Sequence, residues 1–130
     1  LGARQDLARA LADMSRSIFA LGNETEAARI WRESLRIAIE TRGIFIALEA
    51  LVGFASLQTK RGDMEQALEL LCIVLNHPVI THETRKRAAH LRAELESQLT
   101  SQQVEAVQAQ VQAKTFESVV DELHKQDNLT

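Results

Sequence analysis

The sequence predicts an all-α fold built from helix pairs stacked side by side. Three observations predict it. Leu, Ala, Glu, Gln and Arg dominate the 130 residues and all favour helix, while Pro78 is the single proline and tyrosine is absent. Apolar residues recur at helical spacing along most of the chain. The stretch RGDMEQAL, starting at Arg61, repeats the grammar of LGNETEAA 40 positions earlier: a helix stop followed at once by a helix start.

Each element follows from local signals. A first helix is expected from about Ala3 to Leu21, with Leu7, Leu11, Met14 and Ile18 on its inner face. Gly22 ends it in the left-handed conformation. Asn23 caps the second helix, with Glu26 as its capping-box partner. That helix runs to about Thr41 and turns Ala27, Ile30, Trp31, Ser34, Leu35 and Ala38 inward. Gly43 breaks the pattern. The third helix spans about 44–61, with Leu48, Leu51, Phe54, Ala55 and Gln58 on one side. Gly62 is the next stop, Asp63 the next cap and Gln66 its capping-box partner.

The fourth helix reaches about Asn76, where His77-Pro78 ends it. Its core, LELLCIVL, is apolar nearly all round, so it must be covered on more than one side. Thr81 opens a fifth helix to about Leu99, facing inward with Ala88, Leu91, Leu95 and Leu99. Thr100 and Gln103 form a capping box for a sixth, through about Lys114, with Val104, Val107 and Val111 as its stripe. A short seventh helix, capped by Thr115, covers FESVVDELHKQ with Phe116, Val119, Val120 and Leu123 inward, and the last residues, DNLT, should fray.

A shift of 40 residues superimposes the first two helix pairs. Leu11 meets Leu51, Met14 meets Phe54, Ser15 meets Ala55 and Gly22 meets Gly62. Ala27 then meets Ala67, Trp31 meets Leu71 and Leu35 meets Leu75. Small residues fall where helices must approach, and bulky ones where the pairs share a core. Self-similarity at a fixed period marks stacked helical hairpins.

At these positions the chain resembles the tetratricopeptide repeat, a helix–turn–helix unit of about 34 residues. Leu11, Ser15, Gly22, Ala27 and Trp31 match its pattern, and so do Leu51, Ala55, Gly62, Ala67 and Leu71. The period of 40 implies helices about one turn longer. Repeats of this length resemble the C-terminal arrays of bacterial signal-transducing ATPases and transcriptional activators. The resemblance implies a right-handed superhelix of antiparallel hairpins, about seven helices in all. Residues 1–80 would form two hairpins. Residues 81–130 would form a divergent third hairpin and a short capping helix, since residues 82–114 lack the turn glycine and place Val107 where Ala is expected.

The resemblance also implies a concave face lined by the first helix of each pair. That face would hold Arg9, Ala12, Arg16 and Phe19, then Glu49, Val52, Ser56 and Thr59. Arg9 and Arg16, two turns apart, suit a carboxylate or an acidic peptide.

No catalytic constellation accompanies this surface. The phosphate-binding patterns G-x-x-x-x-G-K and G-x-G-x-x-G are absent, and HETRK has Lys86 where a zinc-protease helix needs its second His. His82 and His90 lie two turns apart, too far to share an ion directly. Cys72, the only cysteine, sits mid-helix among apolar residues and is expected to be packed and inert. The basic run Arg85, Lys86, Arg87, His90 and Arg92 reads as a solvated face flanked by Glu83, Glu94 and Glu96. Net charge is −3, and neither half of the chain is basic enough to mark nucleic-acid binding. The longest apolar stretch, GIFIALEALVGFASL, is interrupted by Glu49 and reads as a buried helix.

The chain opens in helical rhythm without an initiator Met or a clear cap, and is expected to be a piece of a longer cytoplasmic regulator. No cofactor is implied. The expected role is a non-catalytic interaction or sensor module whose partner is a protein, a peptide or another domain of the same chain. The rival is a spacer that self-associates into a homo-oligomer through exposed Leu7 and Leu11. Nucleic-acid binding through the basic run ranks third.

Overall fold

The computed structural model describes residues 2–129, and their side chains apart from those of His124 and 126–129. Seven α-helices run in order: α1 (Gly2–Ala20), α2 (Glu24–Glu40), α3 (Ile44–Lys60), α4 (Met64–Asn76), α5 (His82–Gln98), α6 (Ser101–Gln112) and α7 (Phe116–Leu129). No strand occurs among the described residues. α7 carries helix through Leu129, past the point where fraying was expected, and Thr130 lies outside the described residues.

The first three turns share one hydrogen-bond scheme. Gly22 and Gly62 have φ of 93° and 89°, in the left-handed region. The Asn23 amide donates back to Ile18 O, and the Asp63 amide to Gln58 O, which satisfies carbonyls that a helix end leaves open. Between α2 and α3 the left-handed position falls to Arg42, with φ 58°, and not to Gly43. Gly43 instead is the residue from which α3 starts.

Caps differ from the expectation at two of five sites. Thr81 and Thr100 accept from the amides three residues on, and Thr100 with Gln103 forms the full capping box. Thr115 and Ser118 exchange reciprocal bonds at the start of α7. Asn23 caps as expected, but Glu26 turns away to pair with Arg29, so no reciprocal box forms. Asp63 makes no side-chain cap bond; its carboxylate still faces the positive end of the α4 dipole.

α1 packs on α2, α2 on α3 and α3 on α4, while α1 also touches α3. Ala27 and Ala67 are fully buried at the close approaches. Ser34, buried on α2, donates to Ala8 O across the α1–α2 seam at 2.7 Å. Beyond α4 the plan changes. α5 lies on α3 and α4, and α6 and α7 both lie on α4. α4 is thus covered from several sides, as its nearly continuous apolar surface requires. Gln103 and Lys114 tie the last segments to Glu65 and Glu69 of α4, at 3.0 and 2.6 Å.

The inner face of α1 differs from the periodicity reading. Ala8, Ala12 and Ser15 are the buried residues, whereas Leu7 and Met14 remain 49% and 45% exposed and Leu11 and Ile18 are half-buried. Small residues face α2 because the helices lie close there. Leu11 and Ile18 still pack against the core from its edge, whereas Leu7 and Met14 point to a side that no helix among the described residues covers. Their counterparts on α3, Leu51 and Phe54, are buried, on a helix that α1, α2, α4 and α5 all contact.

Candidate functional site

A groove of about 250 Å³ opens where α1, α3 and α5 meet over α2. α1 contributes Ala12, Arg16 and Phe19, and α3 contributes Glu49, Val52, Gly53 and Ser56. Trp31 of α2 forms its floor, and Arg87, His90 and Leu91 of α5 close the third side.

The floor depends on Gly53. A Cβ built there would lie 2.3 Å from Cε2 of Trp31, so only glycine lets the indole lie flat against the α3 backbone. Phe19 and Phe54 hold the indole from two sides, with ring centroids 5.7 and 6.5 Å away and tilted planes. The result is a rigid apolar base.

The rim is charged and almost wholly paired. Arg16 holds Asp13 at 2.6 Å, and Arg87 holds Glu83 at 3.0 Å. His90 meets Glu94 at 3.1 Å. Glu49 has no ion pair or hydrogen bond among the described residues. Burial pushes its carboxyl above the ordinary glutamate value, and the fields of Arg87 and Arg16 only partly offset this.

Six of the eight expected concave-face residues, Ala12, Arg16, Phe19, Glu49, Val52 and Ser56, line this groove, and Thr59 does not. Arg9 does not either: its guanidinium stacks over the Phe45 ring, 5.3 Å from the centroid. Sequence reasoning missed the α5 wall. Arg87 and His90 read as solvated because helical spacing shows which face is polar but not where a divergent helix docks. Gly53 was legible in principle, since a glycine inside an apolar helix signals close packing.

Comparison with protein-family models, curated proteins and solved structures finds no match. The groove must therefore be read from its own chemistry.

Cys72 is buried, and although Arg92 lies near enough to favour a thiolate, desolvation dominates and raises the thiol pKa. Among the described residues no group of three or more His, Cys, Asp or Glu is placed to hold a metal ion. In the basic run, Arg87, His90 and Arg92 each bind a glutamate on the same helix, so much of its charge is internally neutralised. No helix of the described residues is long and apolar enough to cross a membrane.

Proposed function

We propose that this chain is a non-catalytic recognition module, a tetratricopeptide-like sensor within a larger cytoplasmic regulator. The observation that carries the reading is the groove between α1, α3 and α5. It combines an apolar aromatic floor with a few converging polar groups, the usual make-up of a ligand site. Its walls come from three helices, so an occupant would change how α5 packs on α3. That coupling is how binding would reach neighbouring domains.

Amide NMR with a library of small fragments tests this. Shifts should cluster at Ala12, Phe19, Val52 and Leu91, and Val52→Phe, which fills the cavity, should abolish them. Shifts scattered over the surface, or unchanged by Val52→Phe, would sink the proposal.

A second reading is favoured by a separate observation, the uncovered Leu7 and Met14 on the outer side of α1. Exposed apolar residues on one helix face suit self-association. Light scattering over a hundredfold concentration range should then show a dimer that Leu7→Lys with Met14→Lys dissolves. A monomer throughout removes that reading.

A further inference from the structure

We propose that the groove accepts a small organic cation: an apolar body resting on Trp31 and Val52, with a protonated amine set against Glu49. The assignment rests on the groove being the binding site, and it adds the ligand's charge and size.

Charge complementarity points to a cation. Glu49 is the one charged lining residue without an ion pair among the described residues. Arg16 and Arg87 are already engaged by Asp13 and Glu83 on their own helices. An anion would have to displace one of those carboxylates and then sit beside Glu49. With each lining arginine taken together with the carboxylate that holds it, Arg16 with Asp13 and Arg87 with Glu83, Glu49 is the carboxylate of the lining left without a counterion. A half-buried carboxylate without a partner is costly, and a ligand ammonium would relieve that cost. The arginines around it then set an upper limit on ligand charge, since a second cationic group would meet Arg16 or Arg87.

Size points to a small molecule. At the packing density of protein interiors, about 0.74, a cavity of about 250 Å³ has room for roughly a dozen non-hydrogen atoms.

Three probes of one shape test the assignment: 4-phenylbutylammonium, 4-phenylbutanol and 4-phenylbutyrate. Affinities come from calorimetry, with the emission of Trp31, the only tryptophan, as a local reporter. The ammonium should bind at least tenfold tighter than the alcohol, and Glu49→Gln should erase that preference. Equal binding of ammonium and alcohol overturns the cation assignment but leaves the groove as a site. Preference for the carboxylate, lost in Arg16→Met or Arg87→Met, overturns it in favour of an anion. If no probe binds or moves Trp31 emission, the groove reading falls as well.

Discussion

At the scale of single residues, three positions carry testable consequences. Gly53 is fixed by contact: its missing Cβ is the space that Trp31 fills. Gly53→Ala should cost about 3 kcal/mol, the upper end of overpacking penalties, because backbone and ring have no slack. A thermal melt together with a shift in Trp31 emission checks it; an unchanged melt would mean the indole does not lie there. Ser15 is fully buried on α1, and its hydroxyl has no partner among the described residues. Its counterpart on α3 is Ala55. Ser15→Ala should stabilise the fold by about 1 kcal/mol, read by urea denaturation, because an unsatisfied buried hydroxyl costs that much. Glu49 brings a pH dependence. Burial raises its folded pKa above the unfolded value, so the folded state binds its proton more tightly. The penalty is present above the folded pKa and disappears below the unfolded one, about 4.3. Glu49→Gln should therefore raise the melting temperature by a few degrees at pH 7, and the gain should vanish near pH 3.5. A loss at neutral pH would show that the arginine fields outweigh burial, and a gain that does not change with pH would show that the penalty is not one on the charge. Residue identities made Glu49 visible as an interruption in an apolar run. They did not show that it would lack a partner, because pairing depends on how neighbouring helices cross.

At the scale of elements, the glycine stops and all seven helices were legible, since capping and termination are encoded within a few residues of each end. What the chain did not disclose was which caps close. Asn23 and Asp63 occupy equivalent positions 40 residues apart, yet only Asn23 bonds an amide three residues on. Asn23→Ala should thus cost about 1 kcal/mol, as a lost cap does. Asp63→Ala should cost about 0.3–0.5 kcal/mol, only the interaction with the helix dipole. Chemical denaturation of the two variants measures the difference directly; equal losses would mean that both caps close in solution. Arg42 shows the same limit. The nearby Gly43 was the obvious breaker, but the turn places Arg42 in the left-handed conformation and uses Gly43 to start α3. Either residue satisfies the local rules, and the path from α2 into α3 decides between them. The inner face of α1 was misread for a related reason. Periodicity finds the stripe of large apolar residues, whereas burial follows the neighbours, and the neighbour of α1 meets its small stripe.

At the scale of the whole molecule, the 40-residue period predicted the stacking of the first four helices but not the arrangement that follows. Repeat matching carries no information about α5, α6 and α7, where the period lapses. The amphipathic stripes identified the residues that turn inward, among them Ala88, Leu95, Val107, Val111, Val119 and Val120, which are all buried. They did not identify the shared target, α4. That target gives the tail a structural duty. Leu70 borders one cleft with Val119 and Leu123, and Ile73 another with Val111 and Phe116. A chain ending at residue 80 would uncover that side of α4. Burying a Leu or Ile is worth about 1.5–3 kcal/mol, so exposing Leu70 and Ile73 alone removes roughly 3–6 kcal/mol. That is a large share of the 5–15 kcal/mol that holds a typical domain together. The full chain should therefore melt in one transition, with circular dichroism, which sees every helix, and Trp31 emission, which sees the groove, changing together. The 80-residue chain should melt broadly and bind a dye specific for exposed apolar surface. If it melts as sharply as the full chain, the tail is an appendage, and α5 is then free to move against α1 and α3 without unfolding them. If it loosens as expected, the α5 wall of the groove is part of the same cooperative unit as the floor, and a ligand that fills the groove must stabilise both.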